Sequence, residues 1–176
     1  MSSAAAPLVR IPVGVVVERR KAASPWIDFT WRPVSVLPDE PDVAPWTPLR
    51  AGSEATSFYL GSATIDLYRS ETARYRENLA TGAPGVWVAL SPGEGEHPYT
   101  IATVTADPAE GEGFSETGCY LVEQVPMPDA VRETIERFIE GNLVEERFVK
   151  RQQKRADPEA LAHRQPPSRA PRSPRR

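Results

Sequence analysis

The sequence has one cysteine, two histidines and no long apolar run, and each shortage excludes a class of protein or site. A single cysteine excludes an internal disulfide and any zinc or iron–sulfur cage built from cysteines. The apolar stretch over residues 11–17 is too short to cross a bilayer and is interrupted by Pro12 and Gly14. We therefore expect a cytoplasmic protein that has no membrane partner.

Motifs of established chemistry are also missing. The chain has no Gly-rich loop of either standard phosphate-binding kind, no serine nucleophile elbow and no histidine pair at helical spacing. His97 is interpreted as a solvated turn histidine. Cys119 is interpreted as a structural thiol, because a nucleophilic cysteine needs a nearby base or positive charge and its neighbours are acidic. The sequence thus predicts no catalytic residue, no metal site and no cofactor, and it favours a non-catalytic protein over an enzyme.

The charge that is present is divided between two parts of the chain. Residues 1–146 carry a formal charge of −11 and residues 147–176 carry +8, which together give the −3 of the whole chain. An acidic body followed by a basic, Pro-rich end is typical of a folded domain with a solvated tail. We therefore predict a disordered stretch over residues 1–7, one domain over 8–150, and a basic Pro/Arg-rich tail over 151–176 with a short helix near 158–164.

Apolar residues alternate along several segments, which is the periodicity of β-strands. The strands are expected near residues 9–18, 27–36, 58–67, 86–90, 99–105 and 119–125. Pro33 indicates an edge strand or a bulge, and Gly61 indicates a bulge. Residues 38–48 are expected to be an extended crossing, and residues 106–118 an acidic loop.

Two segments have helical periodicity. One short helix is predicted over residues 71–80, with Ser70 as its cap, and a longer one begins at Pro128 with Val131, Ile135, Phe138 and Ile139 on its apolar face. The fold class predicted is α+β: a mostly antiparallel sheet of about five or six strands with one short and one long helix, followed by the disordered basic tail.

Candidate partner-binding residues lie at three places. Arg19 and Arg20 form a basic spot beside Trp26, whose ring is either part of an exposed aromatic patch with Trp46 or partly buried core. The acidic loop offers carboxylates around one aromatic ring. Val144 and Phe148 form an apolar pair that points away from the earlier helical stripe. The full set is Arg19, Arg20, Trp26, Glu110, Glu112, Phe114, Val144 and Phe148.

Two other functions remain as alternatives. Arg69, Arg74 and Arg76 near a helix start would bind phosphate, with the loop over 107–116 holding Mg²⁺, in a nucleotide- or molybdopterin-handling enzyme. Nucleic-acid contact through the basic tail is the weaker alternative, because an acidic body repels the same phosphates.

Several stretches together resemble a proteobacterial family known only as domain of unknown function 3305. The resemblance extends over roughly residues 8–164 and rests on VVVERR (15–20), SPW (24–26), WRPV (31–34), RSETARYRENL (69–79), TADPAEGEGF (105–114), VPMP (125–128) and ADPEAL (156–161).

The resemblance implies an association and no catalytic residues. Proteins of this kind tend to be encoded near molybdenum-dependent formate dehydrogenases and their maturation factors. We therefore expect an accessory protein that assists assembly or maturation of such a dehydrogenase through protein–protein contacts, with the dehydrogenase or its maturation factors as partner.

Overall fold

The computed structural model of the protein describes residues 6–142. Within them, seven strands form two antiparallel sheets, so the α+β class is confirmed. The first sheet contains β1 (Val9–Lys21), β2 (Phe29–Leu37), β3 (Thr47–Ala51) and β4 (Ala55–Leu67), in the order β2-β1-β4-β3. The second contains β5 (Gly85–Pro92), β6 (Tyr99–Thr105) and β7 (Leu121–Pro126), in the order β6-β5-β7.

Both sheets contribute to one apolar core. Val13, Val15 and Val17 lie on one face of β1 and are at most 1% exposed, as their alternation predicts. The side chains of Val86, Val88 and Leu90 in β5 belong to the same cluster. β5 is the central strand of its sheet, which confirms the prediction from its continuous apolar run.

The irregular positions of the first sheet lie where the sequence indicates them. β2 is an edge strand, and its register with β1 shifts between the pairs Val16↔Ser35 and Val17↔Pro33, so a bulge adjoins Pro33. The register of β1 with β4 shifts next to Gly61, whose φ of 147° suits glycine. The expected crossing over 38–48 is shorter than predicted, because β3 begins at Thr47.

In the described part of the chain, three α-helices accompany the sheets: α1 (Thr72–Ala80), α2 (Pro108–Glu116) and α3 (Asp129–Gly141). Ser70 does not cap α1. It lies in a short 3₁₀ turn, Arg69–Glu71, and its hydroxyl donates to Glu71. In α3 the predicted stripe of Val131, Ile135, Phe138 and Ile139 is buried. None of the described helices is long and apolar enough to cross a bilayer.

The prediction of an acidic loop over 106–118 is wrong, because α2 occupies most of it. Asp107 caps this helix by accepting a hydrogen bond from the backbone N–H of Ala109 at 2.9 Å, and Pro108 follows as its first residue. Glu110 in the first turn favours the positive end of the helix. Gly111 lets α2 lie against Trp87 of β5, since a Cβ at that position would overlap the indole ring. Glu110, Glu112 and Glu116 are therefore exposed on the surface of α2, whereas the capping Asp107 is buried.

Candidate functional site

The loop that joins β1 to β2 carries the most exposed large apolar side chain in the described part of the chain. Trp26 is 92% exposed, and Ile27 and Phe29 beside it are 57% and 43% exposed. Trp26 is therefore not partly buried core, but Trp46, its expected partner in an exposed aromatic patch, is half-buried against other aromatic rings. A tryptophan that contacts almost nothing in its own domain marks a surface able to bind a partner.

The loop itself is closed by two hydrogen bonds. The backbone N–H of Ala22 donates to the carbonyl of Asp28 at 3.0 Å, which fixes the two ends. Within the loop, the Ser24 hydroxyl accepts the backbone N–H of Trp26 at 3.3 Å, and Pro25 between them has a restricted φ. Trp26 is therefore held at the tip of an ordered turn.

Arg19 does not point into solvent at this end of the sheet. Its guanidinium lies over the ring of Phe29, with 4.6 Å to the centroid, and also 5.3 Å from Phe58 and 5.9 Å from Trp31. Cation–aromatic contacts of this kind stabilise by about 0.5–1 kcal/mol at exposed sites and more when desolvated. Arg19 thus binds the rings at the base of the loop that carries Trp26.

Arg20 lies on the opposite face of β1 and contacts a carboxylate. Its Nε and one terminal nitrogen lie 3.3 and 3.2 Å from Oε1 of Glu18, and Arg32 of β2 lies 3.5 Å from the same oxygen. The Arg20 and Arg32 side chains are 51% and 58% exposed. The two guanidinium groups share the Glu18 carboxylate, and Glu123 of β7 lines one hollow with them, so two positive and two negative groups lie beside the loop.

Trp46 and His97 are stacked. Their ring planes are 8° from parallel with centroids 4.6 Å apart, and Trp46 also meets Trp31 edge-on at 5.6 Å. Trp46 has a φ of 67°, which is strained for a bulky residue. The Trp46 ring is half-buried and far less exposed than Trp26, and His97 is a packing partner as well as a turn residue.

A second candidate site is an open hollow of about 460 Å³ between the start of α1 and the start of α2. Arg74 lies in it, paired with Glu71 and, at 3.3 Å, with Asp107. The hydroxyl of Thr105 donates to Glu110 at 2.7 Å on the same side. Three carboxylates and one guanidinium give the hollow a net negative charge, so it disfavours phosphate groups.

The three arginines of the phosphate-binding alternative do not converge. Arg69 is exposed in the 3₁₀ turn, Arg74 is engaged by two carboxylates, and Arg76 lies in a separate groove with Glu136 and Glu140 between α1 and α3. In residues 6–142 there is no group of three histidine, cysteine or acidic side chains placed to hold a metal ion. Magnesium binding by residues 107–116 therefore has no geometric support.

The remaining predicted contact residues lie apart from the Trp26 loop. Phe114 of α2 is half-buried and meets Tyr120 edge-on, with centroids 5.0 Å apart, so it packs within its own domain. Glu110 and Glu112 are exposed on the same helix, and Cys119 is exposed after it. Val144 and Phe148, the basic tail and the short helix near 158–164 lie outside the described residues.

Tyr75 of α1 is a buried side chain of the core. Its hydroxyl oxygen accepts the backbone N–H of Tyr68 at 3.1 Å. The pKa of Tyr75 is raised to about 12, chiefly by burial; the carboxylates of Asp107 and Glu110 contribute to the rise, whereas the Tyr68 N–H and the Arg74 guanidinium oppose it.

The raised pKa of Tyr75 predicts a loss of stability in strong base. Tyrosine in the unfolded chain loses its proton near pH 10, so between about pH 10 and 12 the unfolded state binds fewer protons than the folded state. The free energy of unfolding should fall across that range and be unaffected below it. Urea unfolding at stepped pH would check this, and Tyr75→Phe should reduce the slope. An equal slope in the variant would contradict the assignment.

One important residue escaped the sequence analysis. Asn78 of α1 is 2% exposed; its amide nitrogen donates to the carbonyls of Gly85 and Ala106 at 2.8 and 2.9 Å, and its oxygen accepts the Gly85 N–H at 3.0 Å. It joins α1 to the start of β5 and the end of β6. Its position three residues after Tyr75, on the same helical face, is the signal that was available.

Comparison with known proteins gives one match. No curated protein and no solved structure is significantly similar to this chain. The family model described as protein of unknown function (DUF3305) matches residues 12–152, which include all the strands from β2 onward, the three helices and most of β1. The chain therefore belongs to the DUF3305 family of proteins of unknown function.

Proposed function

We propose that this protein is a non-catalytic accessory protein that acts by protein–protein contact and that the loop of residues 22–28 is its principal contact. The observation that supports this most directly is the 92% exposure of Trp26. Burying an indole ring removes more apolar area from water than burying almost any other side chain. Tryptophan is also enriched among the residues that dominate binding energy.

The surroundings of the loop support the same proposal. Exposed Ile27 and Phe29 extend the apolar area next to Trp26. Charged side chains lie at its border, among them Arg20 and Arg32 with Glu18. An apolar centre with a charged rim is the usual anatomy of a protein interface.

As partner we propose a molybdenum-dependent formate dehydrogenase or one of its maturation factors. The reason is the genomic neighbourhood that the family resemblance implies. The accessory role, assisting assembly or maturation, fits a chain whose strongest surface feature is an exposed hydrophobic tip.

A pull-down from the native host tests the proposal. The tagged full chain is expected to recover the dehydrogenase or a maturation factor, and Trp26→Ala should weaken capture at least about tenfold, because it removes the largest apolar contact. Leu49→Ala is the matched control, since Leu49 is 45% exposed on β3 outside the loop. Recovery of neither class of protein would refute the proposed partner.

A nucleotide- or molybdopterin-handling enzyme is the second candidate, and one observation favours it: Arg74 and Asp107 meet in an open hollow. The net negative charge of that hollow and the separation of Arg69 and Arg76 weigh against it. A thermal-shift screen with GTP, Mg²⁺ and molybdopterin separates the two functions. A rise in the midpoint of several degrees would favour the enzyme, because only ligands of the native state raise it.

A further inference from the structure

We infer that residues 22–28 form a prebuilt tryptophan anchor, in which Ser24 and Arg19 position the loop from within and Trp26 alone enters the partner. The inference rests on the proposed function and specifies its partner. That partner is a protein surface with an apolar socket for one indole ring and a hydrogen-bond acceptor inside it.

Two hydrogen bonds order the loop before any partner binds. Ala22 and Asp28 are joined through their backbones, and the Ser24 hydroxyl holds the N–H of Trp26. A loop that is ordered before binding loses less conformational entropy when the complex forms. The hydrogen bond of the Ser24 hydroxyl lies within its own loop, so its role is to position Trp26.

Aromatic rings below the loop, together with Arg19, fix its base to the sheet. Phe29 is the first residue of β2, and the guanidinium of Arg19 lies 4.6 Å from the centre of its ring. Arg19 also reaches Phe58 in β4, so it links the base of the loop to the sheet. An arginine held in this way is a positioning residue, and Phe29 is partly engaged on its own chain. Only Trp26 is left almost entirely uncovered.

The chemistry of the indole ring determines what the partner surface must offer. Trp26 is 92% exposed at a turn, so a surface that buries its ring must be concave. A buried indole N–H needs an acceptor in the partner, because burial removes the water that otherwise accepts its hydrogen bond. Arg20 and Arg32 share Glu18 and line a hollow with Glu123. Their half-exposed guanidinium groups can form further ion pairs with acidic groups at the border of such a socket.

Backbone ¹⁵N relaxation on the full chain tests the prebuilt loop without any partner. Order parameters for residues 22–28 are expected near those of rigid backbone, about 0.85, and values below about 0.6 would overturn the inference. Ser24→Ala should lower the value at Trp26, and Ser24→Thr, which keeps the hydroxyl, should restore it. Equal values in the alanine variant and the wild type would show that Ser24 does not position the loop.

Binding to purified formate dehydrogenase and its maturation factors tests the socket. With the protein that binds, Trp26→Ala should raise the Kd at least about thirtyfold, Trp26→Phe less, and Ser24→Ala by a few-fold through lost order. If the wild type binds and Trp26→Ala binds equally well, the anchor is refuted while the proposed function stands.

Two further outcomes are decisive. If none of these proteins binds, the proposed function fails, whereas the relaxation result still decides whether the loop is rigid. Vesicles of phosphatidylcholine and phosphatidylglycerol provide the last arm, because a tryptophan beside arginines also suits a lipid surface. If the wild type binds these vesicles and Trp26→Ala does not, the partner of Trp26 is a lipid surface and not a protein socket, and the inference is overturned.

Discussion

Replacing Asn78 with aspartate is expected to lower the free energy of unfolding by about 3–5 kcal/mol near neutral pH. The amide nitrogen of Asn78 donates to two carbonyls at 2.8 and 2.9 Å in a position that is 2% exposed. A carboxylate of the same shape would place a negative charge against both carbonyl oxygens and give neither a donor. Urea unfolding followed by circular dichroism would measure the loss.

The pH dependence of Asn78→Asp distinguishes a buried charge from a simple packing defect. Burial and the two carbonyls would raise the pKa of the introduced carboxyl in the folded state above its unfolded value of about 3.9. The deficit relative to the wild type should therefore shrink as the pH falls and the carboxyl gains a proton. A deficit that stays constant with pH would contradict this explanation.

The chain contains a matched control for this substitution. Asn142 is its other asparagine; it lies at the end of α3, partly exposed, and donates one hydrogen bond to the Phe138 carbonyl at 2.8 Å. Asn142→Asp removes one donor where water can replace it, so the expected cost is about 1 kcal/mol. Similar costs at the two positions would show that the junction at Asn78 is less important than its geometry indicates.

The periodicity of the sequence predicted the strands and helices that bury one face in the core and expose the other. Val13, Val15 and Val17 alternate because β1 has one face in the core, and the stripe on α3 repeats every 3.6 residues for the same reason. The junction at Asn78 has no such pattern. Its partners, Gly85 and Ala106, lie 7 and 28 residues away, so only the tertiary fold brings their carbonyls to one amide.

The candidate site was predictable in part. The residue types of Arg19, Arg20 and Trp26 drew attention to this end of the sheet, but the direction of each side chain depends on the partners that the fold supplies. Arg19 faces inward because it shares a face with Val17, and the aromatic rings of two neighbouring strands meet it there. Arg20, one residue later, faces the other way. Because side chains alternate along β1, the two arginines have different roles: Arg19 contacts aromatic rings, and Arg20 pairs with Glu18.

The helix α2 was missed for a reason that can be stated physically. Asp107, Pro108 and Glu110 are a standard helix start, and the same kind of signal at Pro128 and Asp129 correctly placed α3. At α2 the two glycines outweighed it, because glycine destabilises a helix interior by about 0.5–1 kcal/mol relative to alanine. The two glycines have different surroundings, and that difference is testable.

Gly111→Ala and Gly113→Ala are expected to change stability in opposite directions. A Cβ on Gly111 would overlap the indole ring of Trp87 and lie 2.7 Å from the Cβ of Trp87, so rotating the indole would not relieve the clash and α2 would have to move off β5. Overpacking of this kind costs about 1–3 kcal/mol and sometimes more. A Cβ on Gly113 meets nothing within 4 Å, so the alanine should gain about 0.5–1 kcal/mol from helix propensity.

The double variant with Trp87→Ala identifies the source of the loss. If Gly111→Ala destabilises through the indole ring, its cost should largely vanish when that ring is removed, whereas Gly113→Ala should give the same gain in either background. Chemical unfolding of the four combinations at Gly111 and Trp87 supplies the coupling energy. Additive effects would mean that glycine at 111 is required by the helix backbone, and the close approach of α2 to β5 would then not explain why this helix contains it.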